Sequence, residues 1–373
     1  MKNMINIARK RCLSKNIDEL EEVYDYAKVI QIKNTNTWID KYGSTKISFG
    51  PYLISNLIKK WNQKGTKYII CLSPLVRRYL GIEKAKIRFI GKYSRNIKWI
   101  LSIGGAREHN SAKEYLFSTD KSCSTKLVTA PAPLSNDSFG TNLSSPCFGN
   151  VIVPSRQSAY PAQILIDSSI LEDMREEFNI SGVGEVMGLY YSLKDYFAVR
   201  KLSPTRDLLL KIERSVQNLA IKLKTKDAIW LKLLAIALIE KCLFMRIISD
   251  NQIIAGGDHL IAYAIDYCSM NREYEHFSKL SHGEKVYWGS IVMAALFPEW
   301  EYGFFSLKKL IAFGFEIGII EHKTYGLLEK CLKNGLIELA IKMRPNRLTI
   351  LSSISQRRIQ KSCDEIYECI NAT

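Results

Sequence analysis

The sequence predicts an α/β parallel-sheet domain over residues 1–167, followed by an all-α domain over residues 168–373. Strand-like apolar runs alternate with helix-like stretches through the first half, the pattern of a parallel sheet with helices on its faces. No strand-like run follows Asp167. From Ser169 onward, apolar residues recur at helical spacing with helix punctuation between them.

In chain order, Lys46–Phe49 reads as a short strand and Leu53–Lys64 as a helix closed by Gly65. Tyr68–Leu72 is an apolar strand, and Pro74–Leu80 a short helix stopped at Gly81. Lys86–Ile90, Trp99–Ile103 and Lys126–Ala130 are further strands. Residues 131–160 are a loop rich in Pro, Ser, Asn and Gly, and Ala162–Ile166 is the last strand. The expected helices are 169–177, 184–197, 205–223, 227–248, 259–267, 282–296, 306–313, 322–334 and 353–370. Gly314 and Gly335 are read as helix ends.

The chain has 373 residues, 53 Lys and Arg against 37 Asp and Glu, and a formal net charge of +16. Residues 1–100 hold 21 of those cations and only 7 acids, so nearly all the excess lies in the first quarter. Such a surface favours anions, among them phosphorylated metabolites, or is a solvated basic face. No reader motif or platform of interleaved aromatic and basic residues accompanies it, so nucleic acid is not an expected partner. The nine cysteines form no Cys-x-x-Cys pair, as in a reduced intracellular protein. Ala228–Ile248 is the most apolar long segment, but Lys232, Glu240, Lys241 and Arg246 interrupt it. It reads as a buried helix rather than a membrane span. The expectation is a cytoplasmic protein.

Histidine is scarce, at 109, 259, 276, 282 and 322. His259, in Gly256-Gly-Asp-His-Leu, and His282, in Ser281-His-Gly-Glu-Lys, each fall at the first turn of an expected helix. Both can aim an imidazole into the space those helices share. Glu185, in Gly182-Val-Gly-Glu-Val, is the best third ligand: its flanking glycines allow close backbone approach, and its carboxylate is expected to start a helix. Two His and a carboxylate with an open position suit zinc, iron or nickel, although a His at a helix start also serves as a cap or core residue.

These segments, in this order, resemble the superfamily of glycerol-1-phosphate dehydrogenases, iron-containing alcohol dehydrogenases and 3-dehydroquinate synthases, with the first as the nearest branch. The resemblance runs from about residue 45 to about residue 300. Ser48-Phe-Gly-Pro-Tyr52 resembles the family's opening strand and turn. Ile103-Gly-Gly-Ala-Arg107 stands where the family binds pyrophosphate, and Ala130-Pro-Ala-Pro-Leu-Ser-Asn-Asp137 resembles its nicotinamide and substrate segment. Gly182-Val-Gly-Glu185, Asp258-His259 and His282-Gly-Glu-Lys-Val286 match its metal segments.

The resemblance implies a Rossmann-like sheet domain before the helical one, as in dehydroquinate synthase. It also implies a divalent metal on Glu185, His259 and His282, and NAD or NADP on Gly104, Gly105, Ala106, Arg107, Ser135 and Thr141. Asp137 would hydrogen-bond a substrate hydroxyl, and Tyr263, in place of the family's second His, would relay a proton. The implied substrate is a small phosphorylated polyol or ketose, and a homo-oligomer is compatible. Departures are Ala106 for the third glycine, Ser73 for the ribose-binding acid, and Glu185 for Asp, the choice dehydroquinate synthases make. Arg77 or Arg78, close behind Ser73, would favour NADP. Lys113, on the helix after the glycines, is expected to be solvated. The alternatives are a sugar-phosphate cyclase of the dehydroquinate-synthase type and an inactive relative with a degenerate cofactor site.

Overall fold

A computed structural model describes residues 37–39, 45–77, 80, 97–119, 125–145, 147–148, 151–152 and 156–373. The expected strand Lys86–Ile90 and Arg78 lie outside the described residues. The strands are β1 (Thr37–Ile39), β2 (Lys46–Gly50), β3 (Tyr68–Leu72), β4 (Trp99–Gly104), β5 (Lys126–Pro131), β6 (Leu143–Ser144), β7 (Cys147–Phe148), β8 (Val151–Ile152), β9 (Arg156–Gln157) and β10 (Gln163–Asp167). The helices are α1 (Leu53–Gln63), α2 (Pro74–Arg77), α3 (Ala106–Thr119), α4 (Ser168–Asp173), α5 (Glu176–Val199), α6 (Arg206–Lys224), α7 (Ile229–Ile248), α8 (Gly257–Cys268), α9 (His282–Leu296), α10 (Leu307–Glu316), α11 (His322–Lys333), α12 (Leu336–Met343) and α13 (Gln356–Asn371).

The chain divides into a sheet unit and a helical unit. The sheet unit comprises residues 34–183 and 228–239. Its main sheet has the order β1-β2-β10-β5-β4-β3, parallel throughout except for the antiparallel edge strand β1. Alternate residues of each strand face opposite sides. Leu101, Ile103, Val128, Ala130 and Leu165 pack with Ile54 and Trp61 of α1. Ile100 and Leu127, one residue out of phase, pack with Ala112 and Leu116 of α3. Helices on both faces account for strands that are apolar end to end.

The helical unit holds residues 184–227 and 240–373 among its described parts. Helices α8 and α9 form its centre. A Cβ on Gly289 would come 2.2 Å from the Asp258 carbonyl oxygen, so glycine is needed for this helix crossing. Ser281 and Glu284 form a reciprocal capping box at the start of α9. Gly314, expected to end a helix, instead lies inside α10, where a Cβ would meet Tyr287 and Ile320. It is a packing glycine. Helix α12 was not expected from the sequence, because eight residues directly after Gly335 give too short a periodic stretch to separate from the preceding helix. Among the described residues, no helix is long and apolar enough to cross a membrane.

Candidate metal and cofactor sites

Glu185, His259 and His282 come together in the helical unit, with one ligand atom from each lying within 4.8 Å of the others. Glu185 is well inside α5 rather than at a helix start, because the helix begins nine residues earlier at Glu176. Gly184 is what lets that interior position reach the site. A Cβ there would come 2.0 Å from the carbonyl oxygen of Gly283, the residue after His282. His259 sits in the first turn of α8 and His282 opens α9, with ring centroids 5.7 Å apart.

The spacings suit a single ion. Glu185 Oε2 is 3.2 Å from His259 Nε2, and its Oε1 is 3.5 Å from His282 Nε2. Two ligands on a tetrahedral ion at about 2.1 Å would be separated by roughly 3.4 Å. His259 Nδ1 is 2.7 Å from Asp258 Oδ2. Donation there leaves Nε2 with its lone pair toward Glu185 and His282, the tautomer a metal requires. Asp258 is itself fixed: its Oδ1 accepts from Ser192 Oγ at 2.7 Å, and Ser192 Oγ accepts from the Gly256 N–H at 2.8 Å. A Cβ on Gly188 would strike Asp258 Oδ2 at 2.5 Å, so this glycine makes room for the supporting carboxylate. His282 Nδ1 has no such support among the described residues.

Lys241, fully buried on α7, forms an ion pair with Glu185 Oε2. Burial alone would raise the Glu185 carboxyl, but Lys241, followed by His259 and His282, holds it well below its usual range. Burial would lower His259, and Asp258 outweighs it to leave the imidazole raised. His282 is lowered, chiefly by burial. Glu185 therefore serves an internal cation with one oxygen and faces His282 with the other. Lys241 escaped the sequence reading as a site residue. Its signal was present as a cation in the middle of a strongly apolar stretch, which must find a partner once buried.

The remaining candidates are divided between the units. Tyr263 packs its ring against His282, with centroids 5.7 Å apart and planes 13° from parallel. Asp137 lies in the loop after β5 of the sheet unit. Gly104, Gly105, Ala106 and Arg107 form the turn from β4 into α3, and Gly104 has φ 151°, a conformation that favours glycine. Gly105 lies against Ser135, whose Oγ would be 3.7 Å from a Cβ at Gly105. Arg107 is exposed. The Gly105 N–H, the first donor of the helix, is taken by Glu108 Oε2 at 3.0 Å. Thr141 points elsewhere in that unit: its hydroxyl accepts from Lys113 Nζ at 3.3 Å, and Lys113 also donates to the carbonyls of Ser138 and Leu143. Lys113 is thus buried and satisfied, contrary to the expectation of a solvated side chain, because the loop after β5 offers it three oxygens. Ser73 caps its own short helix, accepting from the Leu75 N–H at 3.3 Å.

No family model matches the chain. Among curated proteins, it is 25% identical over 329 residues to a glycerol-1-phosphate dehydrogenase from Pyrobaculum islandicum, an alignment covering 82% of this chain and 91% of the relative. A glycerol-1-phosphate dehydrogenase from Aeropyrum pernix is 27% identical over 209 residues, with the chain spanning about half (55%) of that relative. Among solved structures, a probable glycerol dehydrogenase from Sinorhizobium meliloti superposes with a TM-score of 0.63 at 14% identity, covering 88% of this chain and 97% of the other. This chain resembles the glycerol-1-phosphate dehydrogenases in sequence and has the fold of the iron-containing alcohol dehydrogenases. The glycerol dehydrogenase from Schizosaccharomyces pombe shares that fold at a TM-score of 0.62 and 13% identity, covering 87% of this chain and 88% of the other. An iron-containing alcohol dehydrogenase does so at 0.54 and 14% identity, covering 90% and 100%.

Proposed function

We propose that the chain is a metal-dependent, NAD(P)-linked oxidoreductase acting on a small phosphorylated polyol or ketose, in the manner of its glycerol-1-phosphate dehydrogenase relatives. The convergence of Glu185, His259 and His282, with Asp258 orienting His259, carries this reading. Those three residues would hold the metal, with zinc, iron or nickel all compatible with the donors. When bound, the metal supplies Lewis acidity toward a substrate hydroxyl or carbonyl oxygen.

The chain's own residues do the rest. Asp258 and Ser192 keep the His259 ring in one orientation and one tautomer. Tyr263, stacked on His282, would pass a proton to or from the substrate oxygen, and Asp137 would accept a hydrogen bond from a substrate hydroxyl. Gly104, Gly105, Ala106, Arg107, Ser135 and Thr141 belong to the cofactor side of the proposal, with Gly104 and Gly105 giving backbone access to the phosphates. When bound, a nicotinamide would supply the hydride, and Tyr263 would deliver the proton to the substrate oxygen in the reductive direction. A cytoplasmic setting belongs to this reading, since Cys71, Cys242, Cys268, Cys331, Cys363 and Cys369 are free thiols. A homo-oligomer is compatible with it.

One observation favours a second reading. A glutamate at the first ligand position, as in Glu185, is the choice of dehydroquinate-synthase-type cyclases, which reoxidise their cofactor within each turnover. Following NAD(P)H absorbance during assays of dihydroxyacetone phosphate, of glycerol 1-phosphate and of a sugar phosphate long enough to close a six-membered carbocycle tests both. Net, stoichiometric cofactor turnover supports the dehydrogenase. Product formed without net NAD(P)H change would move the reading to a cyclase.

A further inference from the structure

Ser135, on the cofactor side of the proposed site, stands on a loop whose backbone is held from two elements. At the glycine turn, the Ala132 N–H donates to the Gly104 carbonyl oxygen at 2.9 Å. The Ser135 hydroxyl accepts from Asn136 Nδ2 at 2.9 Å and lies against Gly105. The second hold comes from the first two turns of α5. The Leu134 N–H donates to Asn179 Oδ1 at 2.9 Å, and Asn179 Nδ2 donates to the Leu171 carbonyl oxygen of α4 at 3.3 Å. Ser181 Oγ donates to the Ser135 carbonyl oxygen at 3.4 Å. A Cβ on Gly182 would come 1.9 Å from the Leu134 carbonyl oxygen, so glycine is needed for the helix to lie this close to the loop. All of these residues belong to the sheet unit.

We infer that Asn179 is a positioning residue for the cofactor: it holds the Leu134 peptide, which fixes Ser135 against the Gly104-Gly105 turn and so sets the affinity for the nicotinamide dinucleotide. This rests on the proposed function and names a residue outside the set that would touch the cofactor.

Leu134 and Asn179 are both buried, so each polar atom there must find its partner inside the protein. A single planar amide meets two of those needs at once, with its oxygen on an N–H and its NH2 on a carbonyl. Leucine, of similar size, would offer neither, and an ionised aspartate would offer only the acceptor. Helix chemistry does not call for asparagine at this position. Asn179 stands inside α5, past the cap, where asparagine favours a helix less than alanine or leucine does. Its side chain reaches out to α4 and to the loop after β5 instead of back to its own helix. Its placement is therefore explained by the loop it holds. That loop matters because contacts to a ligand are only as well placed as the hydrogen bonds behind them. With the Leu134 N–H released, Ser135 would lose a fixed place beside Gly105, and a cofactor would have to order the loop as it bound.

The experiment uses the full chain and the Asn179→Leu, Asn179→Asp and Asn179→Ser variants. Binding of NADH and NADPH is followed by fluorescence titration, and zinc affinity by competition with a chelator. The cofactor KM and kcat are measured with dihydroxyacetone phosphate. N179L should raise the Kd for the preferred cofactor about 10-fold and raise its KM more than it lowers kcat, with zinc affinity at the parental value. N179D keeps an acceptor for the Leu134 N–H and should recover part of that affinity. A folded N179L protein with parental cofactor affinity would overturn the inference while the functional reading stood. Parallel losses of zinc and cofactor affinity would overturn it as well, since Asn179 would then only hold the fold together. If N179L fails to fold, N179S takes its place, because a serine hydroxyl is too short to span both partners, and parental cofactor affinity there overturns the inference equally. A wild-type protein that binds neither NADH nor NADPH would remove the functional reading, and the inference with it.

Discussion

In the sheet unit, the N–H of Gly105 at the head of α3 is satisfied by the chain's own Glu108 carboxylate. In the helical unit, the Glu185 carboxylate is aimed at two imidazoles that α8 and α9 present from their first turns. Both sites pair a helix end with an acid, to opposite effect. An acid at the third position of a helix satisfies the free N–H of its own cap and suits the positive end of the helix dipole. In the proposed function, a dinucleotide phosphate would compete for that same donor. An acid in the interior of α5 caps nothing. It reaches the ligand site only because Gly184 admits the Gly283 backbone, so its placement is explained by a cation rather than by helix chemistry. The proposed metal ligands are thus brought together and supported, while the proposed cofactor donor is already satisfied within its own helix.

The sharpest way to break this contrast is to remove a ligand. His259→Ala and His282→Ala should each lose essentially all bound metal and all metal-dependent turnover, read by elemental analysis of the purified variants. Full metal occupancy in either would falsify the ligand set. Asp258→Asn tests whether support, not merely presence, distinguishes the helical unit. It keeps the shape but removes the charge and one of the two acceptors that His259 and Ser192 use, so the His259 tautomer is no longer fixed and metal affinity should fall about 10–100-fold in a competition titration with a chelator. An unchanged affinity would mean that Asp258 is only a core residue.

Lys241 probes the same site without its metal. The ammonium and Glu185 are both buried, so Lys241→Met leaves the carboxylate with only the two imidazoles for partners, at a cost of up to about 3–5 kcal/mol. The metal-free variant should melt well below the metal-free parent in a thermal scan, and added zinc should stabilise it more than it stabilises the parent, because the ion then takes over the charge that Lys241 balanced. Equal melting temperatures for the two metal-free proteins would show that the pair does not balance Glu185.

The sequence carried most of this contrast, for identifiable reasons. Tyr68–Leu72 and His282–Leu296 fall at the bounds expected of them, since an uninterrupted apolar run and a Ser-x-x-Glu capping pattern are local signals. The three converging residues were legible because histidine is scarce and two of the five stand at helix starts. The helical position of Glu185 was misread because glycines on both sides look like a helix boundary, whereas here they are surface cut away for the neighbouring backbone. Lys113 was misread for a related reason: a lysine on an amphipathic helix is ordinarily solvated, and only the later loop, far along the chain, supplies its three acceptors. Asp258 and Lys241 act through partners that local spacing does not reveal.

The smallest expected effect lies on the cofactor side, and it decides whether the sheet unit is degenerate or merely self-capped. Glu108 is partly buried, and its carboxyl is raised by that burial against the opposing pull of the Gly105 N–H. A nicotinamide dinucleotide phosphate approaching the same donor must displace the carboxylate and tolerate its charge. Glu108→Gln keeps a side chain able to accept from Gly105 while removing the charge, and Glu108→Ala removes both. If the contact competes with the cofactor, affinity for NADH or NADPH should rise in both variants, by about 3–10-fold for a charge near a helix end and more in Ala than in Gln. Fluorescence titration reads this directly, and thermal stability should move the other way, since a cap is lost. The sign is what matters. Weaker cofactor binding in both variants would mean instead that Glu108 holds the glycine turn in its binding-competent shape.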